Sequence, residues 1–224
     1  MRMLCYLLLA VLAPFFAVQA QEGPDYFPLQ VGNLWVFEKY DLHGYSTSSM
    51  GTFSIQVVDT TSIADTTYFL ITQDWTARIP DTVYARKEGQ KIFWRLEDRE
   101  WLAYDFAAPQ GSSWELFLPY FGNYPPAQVR ANALSEDGLD QGIGTDPSRR
   151  YFGFEPYPFE SDWYEVYLAD VGPVFIKYYP TELEAWDIGR LKEAHVGGKV
   201  ISGDTVVSGR TFGYLKAIFK EGKL

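Results

Sequence analysis

Apolar and polar residues alternate along much of this chain with the period of a β-strand. From Gly51 to Asp59, Phe53, Ile55 and Val57 share one face while Thr52, Ser54 and Gln56 share the other, which predicts a half-buried strand. Thr66 to Trp75 continues in the same style. A meander follows, with strands predicted over Asp81–Lys87, Gln90–Leu96 and Glu100–Phe106. Glu88-Gly89 makes its first turn, where glycine takes a positive φ at little cost, and Glu97-Asp98-Arg99 makes the second. On the middle strand Ile92, Trp94 and Leu96 fall on one face.

After Phe106 the rhythm loosens. Leu118 to Pro126 reads as a turn-rich aromatic loop, Glu136 to Arg150 as a polar Gly/Asp loop, and Phe154 to Asp162 as a run of prolines, aromatics and acids. Strands resume over Trp163–Ala169 and Pro173–Tyr179, separated by Asp170-Val171-Gly172. Thr181-Glu182-Leu183-Glu184 fits a capping box, with Leu183, Trp186 and Leu191 spaced for a helix face. Gly189 interrupts that helix at a cost of about 1 kcal/mol relative to alanine. Gly197-Gly198 instead sits like a hairpin turn between Arg190–Val196 and Lys199–Ser202. The reading is a strand pair from Arg190 onward, with at most one helical turn at Glu182–Trp186. Frequent turns and the lack of βαβ alternation predict one all-β domain over residues 21–224, an antiparallel sandwich or an open or wide barrel of many short strands.

The N-terminus does not share the alternation. Arg2 precedes an uncharged apolar run from Leu4 to Phe16, and Val18-Gln19-Ala20 places small residues at −3 and −1. This is the pattern of a secretory signal peptide, with cleavage expected between Ala20 and Gln21. A membrane-spanning helix needs roughly 20 apolar residues; this run is shorter, contains Pro14 and lacks a basic stop-transfer flank. Cys5, the one cysteine, precedes most of the apolar run and so is not placed to become a lipidated first residue. No Asn-x-Ser/Thr sequon follows. The expected compartment is periplasmic or extracellular, and a domain of this size buries a core without disulfides.

Formal charge is −10, and loss of Arg2 takes it to −11. The acids are dispersed, and no basic stripe interrupts them, so a nucleic-acid partner is not expected. A hydrophobic fraction of 47% with 21% charged residues is that of a folded domain. Aromatics reach 17%, which suits sheet faces and equally suits carbohydrate or apolar-ligand binding.

Two segments echo each other. Gly32-Asn33-Leu34-Trp35 follows Tyr26-Phe27-Pro28-Leu29, and Gly111-Ser112-Ser113-Trp114 follows Tyr104-Asp105-Phe106. In each, a turn delivers a tryptophan into the next strand, a core-anchoring role. Tyr-Phe-Pro-Leu-x-Val-Gly-Asn-x-Trp at Tyr26–Trp35 resembles the start of uncharacterised exported β-rich proteins of Bacteroidota-related bacteria. Tyr104–Trp114, Asp170–Val174 and Leu191–Asp204 are similar to later blocks of that group. The resemblance implies an exported β-rich domain and brings no activity with it. Many such proteins continue into a C-terminal type IX sorting domain, a pattern not found before Leu224.

Candidate chemistry is sparse. There is no Gly-x-Ser-x-Gly, and only His43 and His195, both near glycine turns, are available as imidazole bases. No His/Cys cluster suggests zinc, and neither Gly142-Ile143-Gly144 nor Gly197-Gly198-Lys199 has the surroundings of a phosphate loop. Glu155, Glu160, Asp162 and Glu165 lie near Tyr157, Phe159 and Trp163, the residue types of a glycosidase cleft. Asp137, Asp140 and Asp146 supply hard oxygens for calcium, without EF-hand spacing. The expectation is a non-catalytic exported domain, without metal or cofactor, that binds a ligand or plays a structural part in the cell envelope. Tyr120, Tyr124, Tyr157 and Trp163, on the aromatic-proline segments, are its candidate ligand-binding residues. The alternatives are a barrel carrying a lipid or other apolar molecule and a carboxylate-based polysaccharide hydrolase.

Overall fold

The structure is a computed structural model and describes residues 23–43, 46–74, 81–96, 98–118, 127–133, 148–156, 162–179 and 185–204. The expected signal peptide, the three aspartates considered for calcium and residues 181–184 of the capping box lie outside the described residues.

Among the described residues, thirteen strands form one antiparallel sheet. They are β1 (Leu34–His43), β2 (Ser46–Ile63), β3 (Thr66–Gln73), β4 (Thr82–Glu88), β5 (Lys91–Leu96), β6 (Arg99–Asp105) and β7 (Ser113–Leu118). They continue as β8 (Ala127–Ala133), β9 (Arg149–Pro156), β10 (Asp162–Leu168), β11 (Gly172–Tyr179), β12 (Ala185–Val196) and β13 (Lys199–Ser202). The order is β6-β5-β4-β3-β2-β1-β12-β11-β10-β9-β8-β7, with β13 added to the far end of β12. Two six-stranded meanders are thus joined through the β1–β12 ladder. The ends of the path, β6 and β7, are consecutive in the chain and meet through Trp101 and Phe117, whose rings stack at 5.7 Å. The sheet curls into a nearly closed barrel.

Alternation sets which residues face inward, and bulges reset it. Trp94 pairs with Trp101 and Ile92 with Tyr104, so Ala103 is the extra residue on β6. That one-residue bulge brings Trp101 and Tyr104 to the same face although their sequence parity differs. Trp35, Phe37, Tyr104, Phe152, Phe154, Ile92 and Leu116 are all less than 2% exposed. Burial of such rings, at about 25 cal/mol per Å² of apolar area, is the main force holding the barrel together.

The segment Gly23–Asn33 closes one end. It inserts Tyr26 and Phe27, which are buried, between the strands. Asp25 and Asp170 exchange hydrogen bonds: the Asp170 N–H donates to the Asp25 carbonyl at 2.7 Å, and the Asp25 N–H to the Asp170 carboxylate at 3.2 Å. Lys87, at an inward position beside Ile92, pairs with Asp25 at 2.7 Å. Asn33 is buried and holds three segments together, donating to Pro28 O at 2.8 Å and accepting from Gly197 N–H at 3.0 Å.

The meander, β10, β11 and the Gly197-Gly198 hairpin match the sequence expectation within a residue or two. Residues 127–133, for which no element was expected, form β8, with the small Ala131 and Ala133 among its buried positions. Two parts of the expectation are corrected. Arg149 and Arg150, expected in a polar loop, begin β9. β12 starts at Ala185 rather than Arg190, so Trp186 belongs to a strand. The strands are also not uniformly short, since β2 runs for 18 residues and β12 for 12.

Candidate functional site

β10 carries Glu165 and Tyr167 two residues apart and therefore on one face. Glu165 pairs across to Phe152 on β9, and Phe152 is fully buried, which fixes that face as the interior. Glu165 itself is buried, the one buried carboxylate among the described residues. Its Oε2 accepts the hydroxyl of Tyr167 at 2.7 Å and that of Tyr104, from β6 across the barrel, at 2.7 Å. A carboxylate taken out of water needs such donors, and hydrogen bonds to an ionised acceptor are roughly twice as strong as neutral ones.

Rings surround this cluster. Tyr104 lies 5.1 Å from Tyr167, 5.4 Å from Phe152, 5.5 Å from Trp94 and 6.1 Å from Phe27. Phe106 stacks on Tyr26 at 5.3 Å, and the Arg150 guanidinium lies 4.9 Å from the Tyr26 ring centre. Burial pushes both tyrosines well above the usual phenol range, and the Glu165 charge adds to it.

A second cluster staples the outer face of β3–β6. Arg86 grips Glu100 with two bonds, of 2.5 and 2.8 Å, and the Tyr68 hydroxyl donates to the same carboxylate at 2.7 Å. Arg86 also lies 4.3 Å from the Phe93 ring centre. The Arg86 bonds hold Glu100 below the ordinary carboxylate range, and burial followed by the Glu100 hydrogen bond raises Tyr68.

Tyr120, Tyr124 and Tyr157 lie outside the described residues. Trp163 belongs to β10, opposite Phe154 and Tyr178. The proposed glycosidase carboxylates divide. Glu155 is exposed and accepts from Asn132 at 3.1 Å, whereas Glu165 points inward, so the sheet itself lies between them. Asp162 opens β10, and Glu160 lies outside the described residues. His43 ends β1, and His195 on β12 contacts Glu193 at 3.3 Å. Among the described residues no group of three or more His, Cys, Asp or Glu is placed to hold a metal ion, and no helix is long and apolar enough to cross a membrane.

The Tyr104–Glu165–Tyr167 cluster was not expected from the sequence, although signals for it were present. Glu165 and Tyr167 share a period-2 stripe, and Tyr104 opens one of the two echoed segments. Both echoes, and Asp170-Val171-Gly172, converge on the closed end of the barrel. There Trp35 donates to Val171 O at 2.6 Å.

No protein-family model and no curated protein matches the chain. Among solved structures, it is similar to a candidate exported protein with a YmcC-like fold from Bacteroides fragilis. That match has 12% identity and a TM-score of 0.44, covering 80% of this chain and 100% of the other. It is also similar to a candidate lipoprotein from Parabacteroides distasonis, with 12% identity and a TM-score of 0.39, covering 76% and 98%.

Proposed function

We propose that the chain is an exported, non-catalytic β domain that binds a ligand or plays a structural part in the cell envelope. The observation that carries this reading is the fate of the buried carboxylate. Glu165 is held by two tyrosine hydroxyls at 2.7 Å inside an aromatic core. It is the one buried carboxylate among the described residues, whereas glycoside hydrolysis needs two flanking a substrate. Export rests on the leader pattern of residues 1–20.

The test is expression with the leader in a bacterial host, followed by incubation of the purified protein with isolated envelope. The reading expects a mature N-terminus at Gln21, protein retained on the envelope and no soluble fragments released. Release of sugar fragments supports the hydrolase instead, and a cytoplasmic full-length chain overturns export.

A carrier of an apolar molecule is a second reading. It is favoured by two interior indole N–H groups, of Trp94 and Trp114, that are buried without an acceptor.

A further inference from the structure

The two meanders repeat one another bond for bond at their starts. Gly32 and Gly111 hold positive φ angles of 94° and 83°. Gly32 N–H donates to Val57 O at 2.8 Å, and Val57 N–H to Asn33 O at 2.9 Å. Gly111 N–H donates to Ala133 O at 2.8 Å, and Ala133 N–H to Ser112 O at 2.9 Å. Asn33 N–H bonds Gln30 O and Ser112 N–H bonds Pro109 O, both at 3.0 Å. Phe27 and Phe106, each five residues before its glycine, both pack against Tyr167. β1 therefore corresponds to β7, and β6 to β12.

This correspondence makes the β1–β12 and β6–β7 junctions counterparts. The first carries a ladder running from Leu34–His195 to His43–Ala185. The second carries no ladder among the described residues, and its strands meet through side chains. Trp101 stacks on Phe117, and Arg99 lies 5.1 Å from the Trp101 ring centre. Parting it costs ring contacts and no backbone ladder, unlike every other junction along the path.

Trp94, cross-strand partner of Trp101, and Trp114 on β7 flank this seam from inside. Trp94 is 4% exposed, and the Nε1 of each indole is buried with no acceptor. A buried donor left unmade costs about 1–3 kcal/mol, so the interior beside the seam is short of acceptor oxygens.

We propose that the β6–β7 seam is a lateral entrance to the barrel interior, and that Trp94 and Trp114 donate there to the carbonyl oxygen of an apolar, uncharged ligand such as a long-chain ester. The Glu165 carboxylate, reached from Trp94 through Tyr104, selects against an anionic head group. The proposal rests on the carrier reading and names its ligand class and its door.

The experiment measures binding of methyl oleate to the mature protein, to a Trp94→Phe/Trp114→Phe variant and to a Trp101→Cys/Phe117→Cys variant. The mature chain is otherwise free of cysteine, so oxidation of that variant pins the seam. Binding by wild type is expected, weakened about tenfold without the two indole N–H groups, or roughly 1.4 kcal/mol. It is expected to be blocked by oxidation and restored by a reductant. Equal binding with the seam pinned overturns the entrance and leaves the carrier reading standing, whereas no binding by wild type overturns both. Hydrogen exchange on the unmodified protein needs no variant to fold. Amides of β6 and β7 are expected to exchange about a hundredfold faster than those of β1 and β12; equal protection overturns the entrance.

Discussion

The indole of Trp35 occupies the space that a β-carbon on Gly172 would need, with its Nε1 2.7 Å from that position. Gly172 also holds φ at 105°, a conformation that L side chains rarely adopt. The turn between β10 and β11 can therefore approach β1 only with glycine at this position. Gly172→Ala is expected to lower stability by about 2–4 kcal/mol, combining strained backbone with a rigid clash. The midpoint of urea unfolding measures it; a change below about 0.5 kcal/mol contradicts the packing described.

Asn33 bonds two segments far apart in the chain, at Pro28 and Gly197. Asn33→Ala leaves one buried carbonyl and one N–H without their partner, at an expected cost of about 1–3 kcal/mol. Asn33→Asp keeps the acceptor for Gly197 and loses the donor to Pro28, so it is expected to fall between alanine and wild type. Thermal unfolding of the three proteins gives the order.

Stability at low pH is expected to depend on Glu100. Arg86 and Tyr68 hold its pKa below the ordinary carboxylate range. A carboxylate with a depressed folded pKa contributes stability above its unfolded pKa, and that contribution is lost as pH falls through the folded value. Glu100→Gln is therefore expected to flatten the acid limb of the stability curve below about pH 4.5. Partial exposure and solvent screening keep the effect small, on the order of 1 kcal/mol or less.

The alkaline limb belongs to the tyrosines. Tyr104 and Tyr167 have folded pKa values raised well above the ordinary phenol range. Groups of this kind contribute stability fully below the unfolded pKa and lose it as pH rises toward the folded value. Ultraviolet titration is expected to show these two phenols ionising only together with unfolding, above about pH 10. Tyr104→Phe/Tyr167→Phe removes that coupled step. Reversible ionisation of all tyrosines with the near-ultraviolet dichroism intact contradicts the buried cluster.

Several strands and the turns between them were written locally, whereas their order in the sheet was not. The β4–β6 meander shows in Val83, Ala85, Ile92, Trp94 and Leu96, whose alternation is strong and whose turns carry Gly89 or a polar run. β8 and β9 were not legible for the opposite reason. The buried positions of β8 include Ala131 and Ala133, too small to register as a strong hydrophobic stripe, and β9 opens on two arginines. Nor does periodicity reveal a bulge such as Ala103, which alone brings Tyr104 into line with Trp101. The Tyr104–Glu165 pairing spans 61 residues and depends on barrel closure, so no local pattern carries it.

Replacing Glu165 tests the central claim most directly, namely that the buried cluster holds the barrel and performs no chemistry. Glu165→Ala leaves two buried hydroxyls without their acceptor and is expected to cost about 3 kcal/mol, a fall in Tm of roughly 6–12 °C. Glu165→Gln is expected to cost less, and both folded variants are expected to be retained on isolated envelope to the same extent as wild type. An unchanged Tm, together with loss of a polysaccharide-cleaving activity in Glu165→Gln, would contradict the account.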